Sequence, residues 1–162
     1  MFNIPVYLDY NSTTSVDPHV LEKMLPYFSD KFGNAASKTH SFGWIAEEAV
    51  EHARTQVANL ISSERDEIIF TSGATEAVNL ALKGVFENYS SKGNHIITVK
   101  TEHKAVLDSC SYLETKGAKI TYLDVARDGI IDIDQLSDSI ADSTILVAVM
   151  FANNETGVLQ PV

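Results

Sequence analysis

Residues 95–123 read HIITVKTEHKAVLDSCSYLETKGAKITYL. His95 to Lys100 is a short β-prone run, and His103 to Thr115 carries Val106, Cys110 and Leu113 at helical spacing. Gly117 is placed to end that helix, and Lys119 to Leu123 is β-prone again. A strand, a helix and a strand in this order predict two parallel strands joined by a crossover. The alternation continues on both sides. Downstream, Asp132 can cap a short helix bearing Ile133, Leu136 and Ile140. Thr144 to Met150 is a β-branched, apolar strand expected to be buried on both faces. Upstream, Thr75 to Tyr89 is a helix with Val78, Ala81, Leu82, Val85 and Phe86 on one side, preceded by a strand over Glu67 to Thr71. A long helix from Phe42 to Ile61 should bury Ile45, Ala46, Ala49, Val50, Ala53, Val57 and Leu60, with Glu47, Glu48, Glu51, His52 and Arg54 facing outward. Asp17-Pro18 opens a helix striped with Val20, Leu21, Met24, Leu25 and Phe28. The fold class is α/β, a mostly parallel sheet flanked by helices.

The 162 residues are 44% apolar and 21% charged, as expected of one globular domain with its own core. The longest apolar run, Ile145 to Ala152, is too short to cross a membrane. The net charge is −10 and the basic residues are scattered, which argues against direct nucleic-acid binding and against anionic membranes. The single cysteine, Cys110, forms no internal disulfide. It fits a reducing cytoplasm or an organelle matrix, and the first residues lack the pattern of a secretion signal.

In a parallel sheet, ligands bind beyond the carboxyl ends of the strands. Three polar clusters should project there. Ser72-Gly73-Ala74-Thr75 opens directly into a helix and reads as an anion seat, with free N–H groups, the positive helix end and two hydroxyls. An ordinary Ser/Thr helix cap gives the same pattern. Thr101-Glu102-His103 places an imidazole at a helix start, where it can stack on a flat ring or move a proton, or stand as a surface histidine. Asn153-Asn154-Glu155-Thr156-Gly157 offers carboxamide donors or plain turn chemistry. Cys110 sits at core spacing, which argues against a nucleophile. Glu48 and His52 stand one turn apart without a third metal ligand nearby in sequence.

Five ordered motifs resemble one family. Tyr7-Leu8-Asp9-Tyr10-Asn11-Ser12-Thr13-Thr14, Phe32-Gly33-Asn34-Ala35-Ala36-Ser37 with His40, Phe70-Thr71-Ser72-Gly73-Ala74-Thr75-Glu76, Thr101-Glu102-His103-Lys104-Ala105-Val106-Leu107 and Asn153-Asn154-Glu155-Thr156-Gly157 resemble the NifS-like cysteine desulfurases along the whole chain. The resemblance implies the N-terminal part of the large domain of a fold-type I pyridoxal 5'-phosphate enzyme, over residues 1–162. It implies conversion of L-cysteine to L-alanine, with an enzyme persulfide feeding iron–sulfur cluster assembly and tRNA thiolation. By motif position, Ala74 and Thr75 would hold the cofactor phosphate. His103 would stack on the pyridine and take part in proton transfer, and Asn154 would hydrogen-bond the phenolic oxygen. A homodimer is implied for the complete enzyme, together with iron–sulfur scaffold and sulfur-acceptor partners.

Ser15 departs from the family's usual proline. In the family, the Schiff-base lysine, the aspartate facing the pyridine nitrogen and the small domain with its catalytic cysteine lie beyond the point matching Val162. The 162-residue chain is therefore expected to be inactive alone. Two alternatives are a non-catalytic interaction module or half of a split enzyme, and a selenocysteine lyase or another aminotransferase-like enzyme.

Overall fold

The computed structural model describes residues 5–162. The chain falls into two compact units, Met1–Phe70 and Thr71–Val162.

In the first unit, Asp17 caps helix α1 (Pro18–Met24), its carboxylate accepting from the N–H of His19 at 2.8 Å and of Val20 at 3.3 Å. The striped segment does not run on as one helix. Proline has no N–H for a helix interior, so Pro26 starts a second short helix, α2 (Pro26–Ser29). Its apolar stripe is open to solvent, and Phe28 is 73% exposed. Helix α3 spans Ser41–Ile61, capped by His40, whose Nδ1 accepts from the Gly43 N–H at 3.3 Å. A Cβ on Gly43 would lie 1.9 Å from the Ser37 carbonyl oxygen, so only glycine lets α3 back onto the turn of residues 34–37. Ala46 and Ala58 of α3 are buried, whereas Ile45, Val57 and Leu60 of the expected core stripe are exposed.

Two expectations fail here for one reason. Arg54 was expected to face outward, and Glu67 to Thr71 to be a strand. Instead Arg65–Glu67 forms a 3₁₀ turn, with the Glu67 carboxylate accepting from the Glu64 N–H at 2.8 Å. The residues that follow pair with no strand among the described residues. The half-buried Arg54 guanidinium donates to the Ile68 carbonyl and lies 5.1 Å from the centre of the Phe70 ring. The arginine supplies a partner that a neighbouring strand would have given.

In the second unit, α4 (Ala74–Tyr89) is followed by β1 (His95–Val99), α5 (Lys104–Glu114), β2 (Lys119–Leu123), α6 (Ile133–Ser139) and β3 (Thr144–Ala148). The sheet order is β2-β1-β3 and both pairings are parallel, as the alternation predicts. His103 and Asp132 cap α5 and α6, and Gly117 ends the turn after α5 with φ 96°. The core joins Leu82 of α4, Ile96 of β1, Val106, Cys110 and Leu113 of α5, and Ala118. At the amino end of the sheet, His95 lies between two threonines, its ring nitrogens each 2.8 Å from the hydroxyls of Thr144 and Thr121. Strand β3 corrects the sequence reading. It ends at Ala148 and is only half-buried, with Val147 39% exposed on the wall of a hollow. No helix among the described residues is long and apolar enough to cross a membrane.

Ile96 is fully buried at the centre of this core. Ile96→Ala should lower the unfolding free energy by about 3 kcal/mol, read as a fall in the urea midpoint with an unchanged slope.

Candidate functional site

The three parallel strands end at one edge, and there the start of α4, the segment after β1 and the end of β3 with its loop border a cavity of about 620 Å³. Its lining from α4 is Ala74, Val78, Ala81 and Leu82. The loop after β1 and the start of α5 bring Glu102, His103 and Val106. The run Leu146–Met150 and Asn154 close the side along β3. Most of this surface is apolar, with polar groups at the rim, the usual make-up of a small-molecule site.

Of the residues singled out in the sequence, Ala74, His103 and Asn154 line this one hollow. Thr75 is the next residue of α4, is exposed, and does not line it. The α4 terminus differs from the simple seat expected. Gly73 precedes the helix at φ 157° and ψ −177°, a region L side chains rarely adopt, and no side chain caps the helix. The first helical bond runs from the Ala77 N–H to the Gly73 carbonyl, so the N–H groups of Ala74, Thr75 and Glu76 keep no partner among the described residues. Ser72 is not free to help. Its N–H and its hydroxyl both donate to one Glu76 carboxylate oxygen at 2.6 Å. Those two bonds, the hydroxyl's first, hold the Glu76 carboxyl below its ordinary range.

His103 Nδ1 accepts from the Ala105 N–H at 3.1 Å, so the neutral ring carries its proton on Nε2. Asn154 is exposed, and its Nδ2 donates to its neighbour Glu155 at 3.3 Å. Asn153, weighed in the sequence as a ligand donor, serves the loop instead. Its Oδ1 accepts from the N–H groups of Glu155 and Thr156, each at 2.9 Å, and its Nδ2 donates to the Thr101 carbonyl at 3.0 Å.

Sequence reasoning missed Glu102. This half-buried carboxylate accepts from the Met150 N–H across the sheet edge. Burial pushes its carboxyl above the ordinary range, against the opposing bonds from the N–H groups of Met150 and His103. A Glu beside a candidate histidine was the only available signal, since the Met150 contact spans 48 residues of chain. Cys110 is fully buried, and its thiol is pushed up to about 11 by burial, then by the charges of Glu114 and Glu102. It is a core residue, as its spacing predicts. Among the described residues, no group of three or more His, Cys, Asp or Glu could hold a metal ion.

The strand-edge hollow, with unpartnered helix N–H groups, an imidazole and a carboxamide around it, has the make-up of a small-molecule site on an α/β domain. The chain belongs to the aminotransferase class-V family, which matches residues 6–162, and whose members depend on pyridoxal phosphate. A cysteine desulfurase IscS of Ehrlichia chaffeensis is 62% identical over 160 residues, covering 99% of this chain and 39% of the relative. One from Rickettsia massiliae is 60% identical, covering 98% and 38%. Among solved structures, a NifS-like protein superposes with a TM-score of 0.89 at 42% identity, covering 93% of this chain and 41% of that one. SspA in complex with cysteine gives 0.89 at 38% identity, covering 96% and 44%. The chain thus spans well under half the length of the curated relatives it matches.

Two chemical expectations follow. At pH 8 the folded protein should react with iodoacetamide at Cys110 at least about a hundredfold more slowly than the urea-unfolded chain, from thiolate population alone, read by mass spectrometry. For Glu102, a raised carboxyl in the folded state means that ionisation detracts from stability. That loss is absent where both states are protonated, and it grows as pH rises from the ordinary carboxylate range through the raised value. The stability of Glu102→Gln relative to the parent should therefore improve with pH across that window, measured by urea unfolding at each pH.

Proposed function

We propose that residues 1–162 form part of the large domain of a cysteine desulfurase and supply one side of its pyridoxal phosphate site. The observation that carries this reading is that Ala74, His103 and Asn154 border one hollow.

The donor set suits such a group. The unpartnered N–H groups of Ala74 and Thr75 stand at the positive end of α4 and match a phosphate dianion. Thr75 contributes through its backbone, so its absence from the cavity wall does not remove it from the seat. Val78, Ala81 and Leu82 on one side and Leu146 on the other offer apolar surface to a flat ring. Bound there, the cofactor supplies an electron sink for the carbanion of its amino-acid substrate.

The chain's own groups then have distinct tasks. His103 would stack its ring on the pyridine. With Nδ1 engaged by Ala105, Nε2 is the atom that gives or takes the proton. Asn154 Nδ2, whose bond to Glu155 is long, would donate to the phenolic oxygen. The substrate is L-cysteine, and the products are L-alanine and sulfur held as an enzyme persulfide. Cys110 is not that sulfur's acceptor, since it is buried and protonated at neutral pH. At the relatives' length, the enzyme would be a cytoplasmic homodimer. It would hand sulfur to an iron–sulfur scaffold and to acceptors for tRNA thiolation.

The test separates the phosphate seat from the ring site. Proline is well tolerated at the first position of a helix and removes only the N–H. Ala74→Pro should weaken pyridoxal phosphate binding about tenfold, the worth of one charge-assisted hydrogen bond. Binding of pyridoxal, which lacks the phosphate, should stay unchanged. Equal affinity of the parent for pyridoxal phosphate and pyridoxal, by equilibrium dialysis, would overturn the proposal.

A further inference from the structure

The backbone ladder between β1 and β3 stops at Thr98↔Ala148. At that pair and beyond it, side chains take over. The Thr98 hydroxyl donates to the Ala148 carbonyl at 2.9 Å. The Glu102 carboxylate accepts from the Met150 N–H. Asn153 Nδ2 donates to the Thr101 carbonyl at 3.0 Å. The first bond closes the ladder within the strands, and the other two tie two loops about fifty residues apart in sequence; Glu102 itself lines the cavity, and each of these two residues stands directly before a candidate site residue. Glu102 precedes His103, and Asn153 precedes Asn154.

The geometry points to Glu102 and Asn153 as a pair of positioning residues, struts that continue the sheet into its polar edge and set the separation of His103 and Asn154. This rests on the cofactor-site reading above. The chemistry of the struts is complementary. Glu102 has only acceptors to offer and meets a backbone donor, while the Asn153 amide donates to a backbone carbonyl. The Asn153 amide is also fixed in orientation. Its oxygen is occupied by two N–H groups of its own turn, so its nitrogen must face Thr101. A residue serving the turn alone would need only the oxygen. Aspartate would cap the turn equally well, and the nitrogen is what the second loop requires.

That difference makes the inference testable on the protein itself. Asn153→Asp keeps the turn acceptor and turns a donor into an anion facing a carbonyl. Glu102→Gln keeps an acceptor for Met150, whereas Glu102→Ala removes it. Two readouts are taken: pyridoxal phosphate affinity by equilibrium dialysis, and, without cofactor, the imidazole resonances of His103 with the amide exchange of Met150. Asn153→Asp and Glu102→Ala should each weaken cofactor binding about tenfold to a hundredfold, the cost of a slightly misplaced site group. Both should shift the His103 resonances, and Glu102→Ala should speed Met150 exchange. Glu102→Gln should restore both binding and exchange. Unmoved His103 resonances in Asn153→Asp and Glu102→Ala would overturn the inference, and so would a Glu102→Gln variant as impaired as Glu102→Ala. A parent protein with no preference for the phosphate form fails the cofactor reading alone, because the resonance and exchange measurements still decide whether the struts set the loops.

Discussion

Parallel pairing of β1 with both of its neighbours is the constraint from which the site follows. Strands that run the same way end on the same side, so each loop after a strand is delivered to one edge. Antiparallel pairing of β3 would send the Asn153-Asn154 loop to the opposite edge from His103. The pairing is held at both ends by side chains as well as by the ladder. His95 is clasped by threonines of both outer strands at the amino end, and Thr98 donates across to Ala148 near the carboxyl end. Between them lies the apolar floor of Ile96 with Cys110 and Leu113 beneath α5. Polar residues in this strand therefore serve the register, and apolar residues drive its burial.

A net charge of −10 is compatible with the anion seat proposed above. The attraction would come from backbone N–H groups at the start of α4, whose partial charges add nothing to the formal count. The carboxylates near the edge are already engaged. Glu76 is held by Ser72, and Glu102 by Met150 and by the N–H of His103. A carboxylate with its bonds satisfied repels an incoming anion less than a loose one does, and each of these two also stabilises a loop that borders the hollow.

Helices α3, α4 and α5 and the three strands were legible in the sequence because local periodicity and caps carry them. The stripe of α4, the run His95–Val99 and the Gly117 stop need no knowledge of the rest of the chain. The approach of His103 and Asn154 to one hollow was also legible, through the rule that parallel strands deliver their loops to one edge; Ala74 reaches it from the start of α4, without the strand expected before it. What escaped was whatever depends on a distant partner. Ile68 to Thr71 has strand composition, but its backbone meets the Arg54 guanidinium in place of a strand. The run Thr144–Met150 has the composition of a doubly covered strand, yet Val147 stands 39% exposed against the hollow. Glu102 and Asn153 act over spans of 48 and 52 residues, and no local pattern encodes such a bond.

Division of labour along the polar edge follows from this. A group that must meet a ligand needs exposure and some freedom, and His103 and Asn154 are both exposed, with few and weak bonds of their own. A group that must hold a loop needs the reverse. Asn153 and Glu102 are half-buried, and each spends its hydrogen-bonding capacity on backbone. In each loop the residue bonded to the neighbouring loop comes directly before the exposed one, Glu102 before His103 and Asn153 before Asn154. If Glu102 and Asn153 set the two loops as proposed, side-chain identity at 102 and 153 acts on where 103 and 154 stand, Glu102 doing so from the wall of the hollow itself.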